Sequence, residues 1–140
     1  MSTTLENLSR KYPNSTTFRF GDSESLCNEL LDLVREGKKT ATCGALRDFE
    51  AEDEEVPAVG RRDIALNWDG SPALVIETVE VTYRPFCEVD KAFVLAEGEN
   101  DDLAGWRKDH QRYFERNGGF DDEMMLVCER FRLIEVIEAT

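Results

Sequence analysis

Gly37-Lys38-Lys39-Thr40-Ala41-Thr42-Cys43 is the stretch of this chain whose side chains could do chemistry. Two lysines and two threonines fall between Lys38 and Thr42, in a chain whose formal net charge is −13. Cations held at one point of an acidic protein, with hydroxyls beside them, suit a polar ligand. An ammonium complements a carbonyl or phosphate oxygen, and a hydroxyl can attack or hold a water. The same residues also suit a plain helix end, where glycine adopts the left-handed turn and lysine complements the helix dipole. A second group lies at helical spacing downstream. Trp106, His110, Tyr113 and Phe114 share one face with Leu103, while Arg107, Lys108, Arg112 and Arg116 mark much of the remaining surface. His110 on that face is either a structural histidine or a ligand contact, and Trp106 is either core or a platform for a base.

The elements that must position these residues are legible in outline. Thr16 to Phe20 alternates and is rich in β formers, which predicts a short strand. Leu26, Leu30 and Val34 recur every four residues after an Asp22/Ser23 cap, which predicts a helix to about Arg35 that Gly37 stops. Thr40 to Leu46 reads as a strand, and the acidic tract 48–58 as a solvated loop. Asp69-Gly70 between apolar alternations predicts a hairpin, with Ala73 to Tyr83 as its long second strand. Val89 to Ala96 reads as a short helix capped by Asp90, and Asp101 or Asp102 caps the helix that carries His110. Gly118-Gly119 ends that helix, and Met125 to Ile137 is a last strand, bent in the middle. Residues 1–15 read as an N-terminal arm or short helix, and 16–138 as one α+β domain: an antiparallel, partly closed barrel with peripheral helices. A dinucleotide-binding fold is not expected, because regular βαβ alternation with a Gly-rich phosphate loop is missing.

Composition narrows the function classes. A charge of −13 opposes broad binding of long polyanions unless the few cations are gathered together. Cys27, Cys43, Cys87 and Cys128 include no Cys-x-x-Cys pair, and with one histidine the spacing offers no zinc site, so no metal or other cofactor is expected. Three of the four cysteines lie in apolar-periodic segments and read as reduced thiols of a cytoplasmic protein. The N-terminus lacks a basic start and an apolar run, and no apolar stretch approaches the ~20 residues of a membrane span. Nothing in the residues speaks to oligomeric state.

Several blocks in order resemble the ASCH-domain family. They are Phe20-Gly21-Asp22, Gly37-Lys38-Lys39-Thr40-Ala41-Thr42, Val59-Gly60, Val75-Ile76-Glu77-Thr78, Ala96-Glu97-Gly98-Glu99, Trp106, His110 and Val127-Cys128-Glu129-Arg130-Phe131. The resemblance runs from about Phe18 to Ile134 and is closest to the longer branch of that family. It implies a PUA-like, mostly antiparallel β-barrel with a cleft walled by helices, and a nucleoside or an RNA nucleotide as partner. Some members hydrolyse the acetyl amide of N4-acetylcytidine, and others are reported to cleave RNA. Carried over by position, the resemblance implies Lys39, Thr42 and Glu99 as catalytic residues. Lys38, Trp106 and His110 stand beside them as candidate ligand contacts. The chain departs from the short amidohydrolases in its acidic tract and in Cys43-Gly44, where they carry a basic residue. Three readings follow: an amidohydrolase, a metal-independent ribonuclease using the same lysine, and a non-catalytic RNA- or nucleotide-binding module. Within the first, Lys39 has two roles open to it. As a free amine it takes a proton from Thr42 or water; as an ammonium it stabilises the oxyanion.

Overall fold

Ala73, Leu74, Val75 and Ile76 are buried in succession. A strand with no solvated face must be covered on both sides, and the fold is arranged to do this. In the computed structural model, which describes residues 4–137, the elements follow in the order α1 (Leu5–Lys11), β1 (Thr16–Phe18), α2 (Glu24–Arg35), β2 (Ala41–Ala45), α3 (Leu46–Ala51), β3 (Arg62–Leu66), β4 (Pro72–Pro85), α4 (Lys91–Glu97), α5 (Leu103–Arg116) and β5 (Met125–Val136). One curled five-stranded sheet has the order β1-β3-β4-β5-β2. β1 runs parallel to β3, and every other pairing is antiparallel. β1 and β2 are the two edges, so the sheet is a half-barrel with helices around it. The expected α+β, PUA-like architecture is the observed one.

Three apolar clusters supply the cover. Leu30, Leu31 and Val34 of α2 pack with Leu74, Ile76 and Phe131 on one face of the sheet. Leu8 and Tyr12, on and just after α1, pack with Ile64 and Val75 on the other. Trp106 and Phe114 of α5 and Phe93 and Val94 of α4 close over Ala41, Ala45, Leu126 and Cys128 at the β2–β5 end. β4 and β5 lose register twice, at the extra residue Val79 of β4 and at the extra residue Ile134 of β5, so the irregularity of the last strand falls near its end and not in its middle.

The acidic tract differs from its expected loop. Its first part is the helix α3, and irregular chain begins only after it. The acidic residues of α3 lie on its outer side while Phe49 is half-buried against Gly44, where a Cβ would stand 3.2 Å from the ring. Leu46 and Phe49, both half-buried, give this short helix the apolar contacts it needs to stand against the sheet.

Two junctions fix the start of β2. Gly37, at φ +78°, ends α2 in a Schellman turn. The Lys38 N–H donates to the Leu33 carbonyl at 2.9 Å, and the Gly37 N–H to that of Val34 at 3.0 Å. The chain then meets the end of α4, where the Thr40 N–H donates to the Ala96 carbonyl at 2.7 Å. Gly98 caps α4 at φ +74°, and a Cβ there would lie 2.3 Å from the Lys38 carbonyl oxygen. The left-handed turn alone costs a non-glycine residue about 1–2 kcal/mol, and the clash is with backbone. Gly98→Ala is therefore expected to lower the unfolding free energy by more than about 2 kcal/mol. Urea denaturation monitored by circular dichroism measures the loss; an unchanged midpoint would mean that the two segments do not meet.

Candidate functional site

Lys39 leaves the Schellman turn pointing inward and is 1% exposed. Its Nζ donates to Glu99 Oε2 at 2.8 Å and to the Glu97 carbonyl at 3.4 Å, and it lies 3.8 Å from Glu97 Oε2. The Phe20 ring faces it at 5.8 Å. Lys38, one residue earlier, points the other way. It is exposed and pairs with Glu36 at 3.1 Å. The Schellman turn and the strap to α4 thus separate two neighbouring lysines into a buried one and a solvated one.

Glu97 is the hub of the site. It is the last residue of α4 and is 1% exposed. Its Oε1 accepts the Trp106 Nε1–H and lies 3.5 Å from His110 Nε2. Trp106 is fully buried, so its indole reaches the site through this hydrogen bond. His110 sits one turn later on α5, stacked on Trp106 with ring centroids 4.2 Å apart. Its Nδ1 is 2.9 Å from the Trp106 carbonyl oxygen. A carbonyl can only accept, so Nδ1 carries a proton and Nε2 faces Glu97. Cys43 completes the group: its Sγ and ligand atoms of Glu97 and His110 all lie within 4.8 Å of one another. Burial pushes the Cys43 thiol well above its ordinary pKa, with the Glu97 charge adding to the effect. The Cys128 thiol is likewise pushed up to about 12, by burial first and then by Glu97.

A cleft of about 850 Å³ opens in front of these groups. Thr42, Cys43, Glu97, Glu99, His110 and Glu129 all line it, together with Phe18, Phe20 and Tyr113. Lys39 stands behind Glu99 and is not part of the lining. Thr42 and Glu129 are directly opposed on β2 and β5, so their side chains leave the same face of the sheet side by side. Glu129 Oε2 accepts the Thr78 hydroxyl at 2.6 Å. Burial raises the Glu129 pKa above 4.5, and the Thr78 hydrogen bond offsets only part of that. At the rim, Asp22 accepts from Arg116 at 3.0 and 3.2 Å and from Asn117 at 2.9 Å, joining the β1–α2 loop to the end of α5. The Arg116 guanidinium holds the Asp22 carboxyl below its usual range. The lining carries nine carboxyl side chains against four guanidiniums, those of Arg19, Arg61, Arg112 and Arg116.

The structure therefore brings Thr42, Glu99 and His110 to one cleft, sets Lys39 and Trp106 directly behind it, and leaves Lys38 outside. Glu97, Glu129 and Cys43 were not among the candidates read from the sequence. A signal for Glu129 existed, because an acidic residue interrupts the apolar run Leu126-Val127-Cys128 on a strand. Glu97 stands in the Ala96-Glu97-Gly98-Glu99 block, where the resemblance gave the role to Glu99; its partners come from three separate elements, which no local spacing reports.

A cleft of this kind on a curled half-barrel sheet is the architecture of the PUA-like proteins. The ASCH domain family model matches residues 16–135, and the chain belongs to that family. It is similar to the ASCH domain of Lactobacillus crispatus JV V101, with 31% identity and a TM-score of 0.80, covering 94% of this chain and 86% of that one. It is similar to protein EF3133 of Enterococcus faecalis V583, with 32% identity and a TM-score of 0.81, covering 94% and 85%. The ASCH protein of Zymomonas mobilis, at 11% identity and a TM-score of 0.53 over 88% of this chain and 71% of that one, shares the fold. No match was found among the curated proteins.

Two outcomes test the electrostatics. Removing one partner of a buried ion pair leaves the other charge uncompensated, at a cost of about 3–5 kcal/mol. Lys39→Met is expected to lose stability in that range. Glu97→Gln loses less, because its amide oxygen still accepts from Trp106. The K39M/E97Q double variant should be more stable than the sum of the two losses implies. Strict additivity in denaturation experiments would mean that the pair is not coupled. For Glu129, the folded-state pKa lies above the unfolded one, so the folded chain binds the proton more tightly. Its contribution is fully present below about pH 4.5 and is lost as pH rises through the raised value. Glu129→Gln keeps an acceptor for Thr78 and cannot ionise. Its stability relative to the parent should climb as pH rises from 4.5; a difference independent of pH would show that Glu129 titrates normally.

Proposed function

We propose that the cleft binds an uncharged, base-modified nucleoside and hydrolyses an acyl amide on the base, with N4-acetylcytidine as the substrate to test. The observation that carries this reading is that Thr42 and Glu99 line the same cleft, with Lys39 Nζ bonded to Glu99 at 2.8 Å from behind. Amide hydrolysis needs a placed nucleophile and a group that moves a proton from it to the leaving nitrogen. In this reading the Thr42 hydroxyl holds the attacking water. Glu99 takes the proton of that water as the oxygen bonds to the acetyl carbon, then gives it to N4 as the C–N bond breaks. The products are acetate and cytidine. Lys39 acts through Glu99, fixing the carboxylate against the opening of the cleft. Carboxyl groups such as Glu129 complement the N–H edge of a cytosine-type base, and the Phe18, Phe20 and Tyr113 rings give it apolar walls.

The charge of the lining favours a nucleoside over a nucleic-acid chain. Nine carboxyl groups against four guanidiniums repel a run of phosphates, and the chain as a whole carries −13. A ribonuclease would have to assemble its cations in this same cleft, and the one buried lysine is already held by carboxylates. A binding module without turnover would use the same walls and differ only in leaving the amide intact.

The decisive assay incubates purified protein with N4-acetylcytidine and follows cytidine by chromatography. Thr42→Val and Glu99→Gln are each expected to lower kcat/KM by about 100-fold or more while retaining the native circular dichroism spectrum. Thr42 is partly exposed and lies outside the buried ion pair, so Thr42→Val avoids the folding defect of a change at Lys39; Glu99→Gln keeps an amide oxygen to accept from Lys39 Nζ, and its circular dichroism spectrum and unfolding midpoint are measured beside its activity. Full activity in Glu99→Gln would overturn the proton-transfer role. Saturable binding of the nucleoside with no product would leave a binding module in place of the enzyme.

A further inference from the structure

Cys43, Glu97 and His110 come from β2, α4 and α5 and meet at the back of the cleft, all three in its lining. Each offers a ligand atom of a different chemical type: a thiol sulfur, a carboxylate oxygen and an imidazole nitrogen. We propose that this trio is a zinc site, with Cys43 Sγ, Glu97 Oε1 and His110 Nε2 as protein ligands and the fourth tetrahedral position open to the cleft.

Four observations support the assignment. The first is separation. Zinc bonds of about 2.0–2.3 Å place tetrahedral ligand atoms about 3.3–3.7 Å apart. Glu97 Oε1 and His110 Nε2 are 3.5 Å apart, and the whole set lies within 4.8 Å. The second is orientation. His110 Nδ1 donates to the Trp106 carbonyl at 2.9 Å, which leaves Nε2 directed at Glu97. Metal-bound histidines are characteristically held by such a hydrogen bond from the other ring nitrogen. The Trp106 indole N–H fixes the Glu97 carboxylate in the same manner, from a fully buried position.

The third observation is charge. Glu97, which is buried, and Glu99, which is partly exposed, set two carboxyl groups against the single amine of Lys39, an acidic arrangement that accommodates one further positive charge. A zinc ion with the Cys43 thiolate and a neutral His110 supplies that one charge. The thiol proton leaves to solvent as the S–Zn bond forms, and no oxidant or reductant is needed. The fourth is the donor set itself. Sulfur and nitrogen beside one carboxylate select zinc over magnesium or calcium, which prefer oxygen throughout. Three protein ligands with an open position in a cleft are the pattern of a zinc that binds or activates a ligand, in contrast to closed four-ligand structural sites.

The test uses the full chain, stripped with a chelator and titrated with zinc by calorimetry, then with cobalt as a spectroscopic substitute. One ion per chain is expected, together with a thiolate-to-cobalt charge-transfer band and a melting temperature that rises with added zinc. Cys43→Ser should abolish the charge-transfer band and His110→Gln should weaken zinc binding at least tenfold, while Cys87→Ser, at an exposed cysteine outside the site, should behave as the parent. Magnesium should give no saturable heat. Absence of saturable zinc binding by the parent chain would overturn the site. So would a cobalt band that survives in Cys43→Ser, or zinc affinity unaltered in both Cys43→Ser and His110→Gln. The readout is metal binding, so it stands or falls independently of turnover on any nucleoside.

Discussion

A lysine 1% exposed among two glutamates is the constraint on which the rest of this structure depends. Taking an ammonium out of water costs several kcal/mol, and only close, well-oriented partners repay it. Glu99 at 2.8 Å and the Glu97 carbonyl at 3.4 Å are those partners, and both belong to the segment that ends α4. Residues 38–40 must therefore lie against residues 96–99 at backbone distance. That requirement accounts for the left-handed glycine at each side of the contact, Gly37 ending α2 and Gly98 ending α4. It also accounts for the Thr40 to Ala96 hydrogen bond that joins them. Neither helix could end elsewhere without stranding a buried charge.

The same contact decides what faces the cleft. Lys39 is spent on the inside, so the groups presented to a ligand are the carboxyl of Glu99, the hydroxyl of Thr42 and the imidazole of His110. The cleft is acidic although its organising residue is a cation. This inverts the simple inference from two lysines in an acidic chain, which is that they gather to meet an anion. One of them neutralises the protein's own carboxylates, and the other, Lys38, pairs with Glu36 in solvent.

The fold was more legible in the sequence than the site, for a physical reason. Helix α2 follows from Leu26, Leu30 and Val34 at helical spacing and from Gly37 as a stop. The β3–β4 hairpin follows from Asp69-Gly70. These are local signals, satisfied within a dozen residues. The helix α3 was missed because its acidic residues report solvent exposure, while the packing of Phe49 is recognisable only against Gly44. At the site, helical spacing placed Trp106 and His110 on one face, yet could not divide them into a buried indole and a cleft-facing ring. The division depends on where Glu97 stands, and Glu97 gains its role from β2, α5 and the segment before β2 together. The family resemblance carried Thr42 and Glu99 to the cleft for the same reason, since it transmits the tertiary arrangement that spacing lacks.

Strand β2 shows how one short edge can serve two chemistries. Its alternate residues Ala41, Cys43 and Ala45 pack toward α4 and α5, while Thr42 faces Glu129 on the other side of the sheet. In the middle of a sheet those faces would open on different compartments. β2 is an edge with β5 on one side only, and the cleft curls around its free side, so Thr42 and Cys43 both line it. The Thr42 hydroxyl beside Glu129 and the Cys43 thiol beside Glu97 thus share a single volume, which Glu99 also lines. Lys39 stands between the two carboxyl groups of the Glu97-Gly98-Glu99 turn, 2.8 Å from Glu99 Oε2 and 3.8 Å from Glu97 Oε2, so one buried side chain ties both ends of the turn to the start of β2.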